Sequence, residues 1–311
     1  MRKETKNDSE TVPIRHMQFN FDESKAAKYC WNNNSWGSAY ILTFSAFIPA
    51  GERFVVEAVR AFRDEIQDPE LKAKVTSLIG QEATHSRVHA EFNEIYDLKG
   101  LPVKAMAEMS EKIYLEYLMP NLPKKTRLAI ACAIEHMTAL MAEKSFGDNL
   151  KDMDMFDTMA RDFLVWHLLE ELEHKSIAYD LYEYVDGSYL HRMLALFLIV
   201  SVSVPAGLYS VRQFLKVPGF SQGKPKNRKG STYFRKNFFS MYPKLFAYLR
   251  PSFHPNDSDT SAMLEQWREN LFGQNGTLSH SVTKIIFPKI TAMVAETDKA
   301  TLDNGRLVAQ S

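Results

Sequence analysis

The eighteen residues WHLLEELEHKSIAYDLYE, 166–183, decide what kind of fold this chain can have. Successive residues of an α-helix are set about 100° apart, so positions i, i+4 and i+7 share one face. His167, Glu171 and His174 have that spacing, and a helix therefore gathers two imidazoles and a carboxylate into one stripe. Three further stretches carry matching groups. IGQEATHSRVHAEFN (79–93) holds Glu82 and His85 as a second Glu-x-x-His, with His89 one turn on; GERFVVEAVR (51–60) holds Glu52; AIEHMTALMAE (133–143) holds Glu135. Within LAIACAIEHMTALMA (128–142), Glu135 and His136 are the only ionisable side chains apart from Cys132. A lone carboxylate in so apolar a helix is costly to bury unless it is paired or bound to a cation.

A carboxylate from each of two helices, plus a Glu-x-x-His from each of the other two, is the ligand set of ferritin-like di-iron and di-manganese bundles. The fold expected is therefore all-α: a ferritin-like four-helix bundle with additional C-terminal helices. The metal ligands expected are Glu52, Glu82, His85, Glu135, His167, Glu171 and His174. His89, His136 and Glu170 stand close by in sequence, as further ligands or as groups that orient the ligands. The competing reading of the same motifs is a set of salt-bridged helices facing solvent.

Composition adds bounds. With 311 residues, 45% of them hydrophobic, the chain can bury a large core. Its 38 Lys and Arg balance 38 Asp and Glu, so overall charge selects no partner. Cys30 and Cys132 cannot make a disulfide framework. The opening stretch MRKETKNDSETVPIRH has no apolar core of a signal peptide, so a cytoplasmic domain is expected.

Punctuation along the chain suggests three parts: an arm at 1–18, the di-metal bundle at 19–186, and a helical C-terminal region at 187–311. Residues 19–50, rich in aromatics, read as packed loop and short helix, with Pro49 and Gly51 opening the Glu52 helix. Asp68-Pro69 opens the next helix, which runs to about Leu98. A helix of about 103–118 follows, then the Glu135 helix from Pro123 to near Gly147, then a helix of about 153–185. No alternating window is long enough to predict a strand.

Residues 187–256 contain eleven Lys or Arg and no Asp or Glu. Within them, 193–211 is an uncharged stretch, MLALFLIVSVSVPAGLYSV, followed by a basic segment at 212–250. Nineteen uncharged residues approach the length of a bilayer span, but Pro205 and Gly207 interrupt them. A core helix, an interfacial attachment to anionic lipid and a true span are the three readings. Peripheral contact with an anionic membrane is thus one expected partner. No nucleic-acid-binding motif accompanies the basic segment, and no nucleic acid is expected.

The four motif stretches together resemble a bacterial family of predicted metal-dependent hydrolases, over about residues 45–185, and LRPSFHP (249–255) is similar to that family's C-terminal portion. The ligand order also resembles that of di-iron arylamine N-oxygenases, which add a histidine four residues before the last motif glutamate. That similarity implies Glu52, Glu82, His85, Glu135, Glu171 and His174 as shared ligands and His167 as the added histidine. His89, His136 and Glu170 depart from the pattern.

Four carboxylates with imidazoles suit two metal ions, iron being the metal expected and manganese or zinc the alternatives. With iron, the site is expected to activate dioxygen and oxidise a small lipophilic or aromatic substrate. The alternative is a hydrolase using a metal-activated water. A third reading is non-catalytic metal binding or peroxide detoxification.

Overall fold

The computed structural model describes residues 12–147, 153–221 and 244–290, with single positions 232, 236 and 240 between them. Residues 1–11 of the expected arm and about half of the basic segment, 222–231 above all, lie outside the described residues. The architecture is all-α, as the periodicity requires. Its helices are α1 (Ser35–Arg63), α2 (Pro69–Leu98), α3 (Val103–Glu111), α4 (Met119–Asn121), α5 (Lys124–Gly147), α6 (Thr158–His174), α7 (Ile177–Val185), α8 (Tyr189–Lys216) and α9 (Ser261–Phe272). A π-helical stretch, Lys112–Leu118, joins α3 to α4.

Helices α1, α2, α5 and α6 make the bundle, with α1 packed on α2 and α5, and α6 on the same two. Their starts are chemically marked. Asp68 accepts hydrogen bonds from the backbone N–H groups of Glu70 and Leu71, with Pro69 at the first helical position. Asp157 accepts from the Ala160 N–H at the head of α6.

Three expectations need correcting. The Glu52 helix begins at Ser35, where Asn34 accepts from the Gly37 N–H, and not at Pro49. Pro49 is interior to α1. Proline has no N–H, so the carbonyl of Ser45, one turn earlier, loses its helical partner. Asn93 of α2 supplies the replacement, donating from Nδ2 at 2.9 Å. Ser86 of α2 in turn donates to the Pro49 carbonyl at 3.1 Å. What reads as a helix start is an interior proline whose missing hydrogen bond is made across to the neighbouring helix.

Second, part of the expected arm is strand. β1 (Ile14–Met17) pairs antiparallel with β2 (Val282–Ile286), Ile14 facing Ile286 and Met17 facing Val282. Four and five residues are too few for alternation to show in a sequence. Ile14 lies so close over α2 that a Cβ on Gly80 would come within 2.4 Å of its Cδ1. Ser77 donates to the Val12 carbonyl and Gln81 to that of Pro13. Third, the helix expected over 153–185 is two, α6 and α7, separated at Lys175–Ser176. Ser176 starts α7 afresh, accepting the Asp180 N–H on its carbonyl and donating its hydroxyl to the Asp180 carboxylate.

The apolar interior has two clusters, one including Ala46, Val88, Phe92, Phe163 and Trp166, the other Phe54, Val55, Leu78, Ala131 and Ile177. Along α2, Leu78 belongs to one and Phe92 to the other. Glu82, His85 and His89 fall between them, in a polar layer across the bundle.

Candidate metal centre

Every motif residue is buried. Glu52, Glu82, His85, Glu135, His167, Glu171 and His174 are each exposed by 4% or less. Their polar atoms fall into two overlapping groups that could hold a metal ion, Glu52–His85–His167–Glu171 and Glu82–His85–Glu171–His174, with ligand atoms within 4.8 Å of one another in each. Both Glu52 oxygens, Glu82 Oε1, Glu171 Oε2, His85 Nδ1, His167 Nε2 and His174 Nε2 have no hydrogen-bond partner. The gaps are not a matter of distance. His174 Nε2 is 3.0 Å from Glu82 Oε1 and His167 Nε2 is 2.9 Å from Glu171 Oε1, yet neither pair is aligned for a hydrogen bond. Buried polar atoms are normally paired, and leaving one unmade costs about 1–3 kcal/mol. Seven orphaned atoms converging on one place fit a cation that takes their lone pairs.

The imidazoles are arranged to present those lone pairs. Each of the three has one nitrogen turned inward and the other engaged by a partner. His85 Nε2 meets Glu170 Oε2 at 3.0 Å. His174 Nδ1 meets Glu135 Oε2 at 2.7 Å. His167 Nδ1 meets His89 Nε2 at 3.0 Å. Partners of this kind fix which ring nitrogen carries the proton. Glu135 therefore comes to the site against His174, outside the two four-residue groups.

The His167 tautomer can be traced back to Pro49. Asn93 spends its amide N–H on the Ser45 carbonyl that Pro49 leaves open. Its Oδ1 is then the acceptor for the Ser45 hydroxyl at 2.7 Å. With its proton used, Ser45 Oγ accepts at 2.8 Å from His89 Nδ1. His89 Nε2 is then bare and accepts from His167 Nδ1. The Nε2 of His167 is left as a lone pair facing the carboxylates.

Electrostatics agree with a site that favours a cation. Burial, then the charges of Glu82, Glu171 and Glu135, raise the Glu52 carboxyl well above its ordinary range. Burial and Glu135 do the same for Glu82. Burial also pushes Glu171 up, but His174, His167 and His85 outweigh it and bring it to about 2. Burial lowers His85 and His89, with His167 adding to both, so these rings are neutral. His174 is raised, because Glu135, Glu171 and Glu82 overcome the burial that would lower it. Protons and a metal ion compete for the same atoms here.

Behind Glu170 stands a group that sequence reasoning missed. Arg15, in β1, donates from Nη1 to Glu170 Oε1 at 2.8 Å, and grips Glu173 through Nη1 at 2.7 Å and Nη2 at 2.8 Å. Gln81 and Arg268 also donate to Glu173, whose carboxyl sits at about 2 because these partners outweigh its burial. Glu170 has a single Arg15 contact, and burial pushes it up to about 7. The signal for Arg15 was only its chemistry; nothing local ties residue 15 to residue 170.

His136 is elsewhere. It stacks on Tyr248 at 4.8 Å and lies edge-on to Phe253, and burial lowers it to about 4. Cys132 donates its thiol to the Ala178 carbonyl at 3.1 Å and takes no part in the site.

An all-α bundle with a buried carboxylate–imidazole centre is thus the class that fold and site define. Over residues 13–259 the chain matches the family described as predicted metal-dependent hydrolase, and it belongs to that family. The match begins two residues before Arg15. Searches of curated proteins and of solved structures found no match. The family membership corrects the expected oxidation of an organic substrate by dioxygen: the chemistry it names is metal-dependent hydrolysis.

Proposed function

We propose that the protein is a hydrolase whose active centre is two divalent cations, zinc or manganese, held by Glu52, Glu82, His85, His167, Glu171 and His174. The observation that carries this reading is the convergence of seven buried, unpartnered ligand atoms on one polar layer. Family membership supports the reaction class. Carboxylate and imidazole donors without thiolate suit such ions. Glu171, common to both groups and with two carboxylate oxygens, would contribute to both ions, whereas His85, with one bare nitrogen, would contribute to one.

Bound divalent cations supply a water acidified towards neutral pH and polarise the bond to be cut. The residues of the chain do the rest. Glu170, His89 and Glu135 hold the three rings with their lone pairs inward. Glu52, with neither oxygen engaged, keeps one free to accept a proton when the other is a ligand. Apolar clusters on both sides keep bulk water out of the layer. The partner this site implies is a small molecule with an ester, amide or phosphoester bond.

The test is hydrolysis of chromogenic esters, amides and phosphoesters by protein stripped with chelator and reloaded with zinc, manganese, iron or magnesium. The proposal expects activity that disappears on stripping and returns with zinc or manganese. Activity unchanged by thorough stripping contradicts it.

A further inference from the structure

Helix α8 has a face that the bundle does not cover. Twenty-eight residues long, it reaches a mean hydropathy of 2.1 over its most apolar window, of which only 28% is buried. The comparable window of α1, by contrast, is 72% buried. Leu190, Leu194, Phe197, Val204 and Leu208 are spaced by four, three, seven and four residues, so they share one side of the helix. All are exposed, Phe197 by 74% and Leu190 and Leu208 by 67% each. At about 1.5 Å per residue the stripe is about 27 Å long. Ser201 interrupts the stripe between Phe197 and Val204, but soluble surfaces rarely align five large exposed apolar side chains on one helix face unless something binds there.

The opposite side of α8 is committed to the protein. Ala195, Leu196, Ile199, Val211 and Phe214 are buried. Arg192 is buried too, donating to the carbonyls of Tyr248 and Arg250. A helix with one side packed on a bundle and an arginine within that side is not wrapped in lipid all round. Pro205, moreover, removes the donor for the Ser201 carbonyl on the exposed side. A hydrocarbon interior would leave that oxygen unsatisfied, whereas the headgroup layer hydrates it.

Charge identifies the occupant. Residues 187–256 hold eleven cations and no anion. Arg192 is buried in the protein, Lys244 pairs with Glu143 and Arg250 with Asp257. The other eight run in sequence from Arg212 to Lys236, directly after the apolar stripe. A second copy would carry the same cations, and its own flank would offer them no opposite charge. An anionic surface attracts them, by about 1 kcal/mol for each Lys or Arg at the membrane.

We propose that α8 lies in the headgroup layer of an anionic bilayer, with Leu190, Leu194, Phe197, Val204 and Leu208 inserted and Arg212 and Lys216, exposed at the end of the same helix, at the lipid phosphates and carboxylates. This is independent of the metal centre, whose residues it does not involve. Amphipathic helices with basic flanks bind membranes in this way, through apolar insertion and charge together.

The experiment is co-sedimentation of the full-length, metal-loaded protein with vesicles of phosphatidylcholine alone or with one third phosphatidylserine, at low and high salt, with analytical ultracentrifugation of the protein by itself. Wild type should pellet with anionic vesicles at low salt and at least tenfold less at high salt or with neutral vesicles. Leu194→Gln/Phe197→Gln/Leu208→Gln should lose binding at both salts, and Arg212→Gln/Lys216→Gln should bind at least tenfold more weakly. Both variants alter exposed positions of α8 and should keep wild-type metal content, which reports that they fold. Wild type that stays in the supernatant with anionic vesicles at low salt overturns the proposal. A dimer that the triple glutamine variant dissociates would assign the stripe to a second copy instead.

Discussion

His89 Nε2 lies 3.0 Å from His167 Nδ1, and this contact sets which nitrogen of His167 faces the carboxylates. Both rings are buried in the bundle. Replacing His89 with Phe keeps a ring of similar size in the layer but removes the acceptor. Metal affinity should then fall about 10- to 100-fold, the usual penalty for losing an outer partner of a ligand histidine. Competition against a calibrated chelator measures it. Unchanged affinity in a folded His89→Phe protein would remove His89 from the chain that orients His167.

The same chain makes an unusual prediction about Pro49. Asn93→Leu leaves the Ser45 carbonyl without a donor and should destabilise the protein by about 1–3 kcal/mol. Adding Pro49→Ala restores an N–H one turn after Ser45. The double variant should therefore recover part of the loss, read as a shift in the denaturant midpoint. If Pro49→Ala deepens the loss, the Asn93 bond is not the substitute for the missing helical one.

Arg15 is the only described cation in contact with Glu170, and it shares Glu173 with Arg268. Truncating it to Ala leaves buried carboxylates under-compensated, which typically costs about 3–5 kcal/mol. Urea unfolding of Arg15→Ala should show a loss of that order, with Arg15→Lys losing less but not matching wild type, because lysine cannot grip Glu173 with two nitrogens. A surface-like loss below about 1 kcal/mol would contradict the placement of β1 against the site.

Ligand carboxylates held close together without a cation are a strain on the fold. Burial and three neighbouring glutamates raise Glu52 well above its ordinary range. Glu52→Met, an apolar replacement of similar length, should therefore stabilise the chelator-stripped protein by about 1–4 kcal/mol while reducing the stability that added zinc or manganese confers, since the group Glu82–His85–Glu171–His174 does not include Glu52. Thermal unfolding of both proteins with and without metal gives all four numbers. A stripped Glu52→Met protein less stable than stripped wild type would argue that Glu52 is a structural residue.

The sequence carried the helical class and placed the candidate metal-binding side chains together, because they lie within single helices where spacing is legible. Glu82 and His85 are three apart, and His167, Glu171 and His174 span two turns. Proline was misleading at 49, since it signals a helix start and here lies inside the helix. Only Asn34 as a cap and the apolar run Ile41, Leu42, Ala46 and Ile48 pointed to the earlier beginning. Arg15 and the β1–β2 pair depend on contacts more than 150 residues apart, which no local pattern encodes. Residue types alone do not separate oxygen-activating from hydrolytic centres, and it is membership of a family of predicted metal-dependent hydrolases that favours hydrolysis.

The central claim is that these residues hold metal, and metal analysis by mass spectrometry of stripped and reloaded protein tests it most directly. Glu171 belongs to both four-residue groups, whereas Glu143 pairs with Lys244 and Ser258. Wild type and Glu143→Gln should each hold two zinc or manganese ions per chain, and Glu171→Ala at most one, with helical circular dichroism preserved in all three. Glu171→Ala that binds as much metal as wild type, or wild type that binds none, would contradict the account.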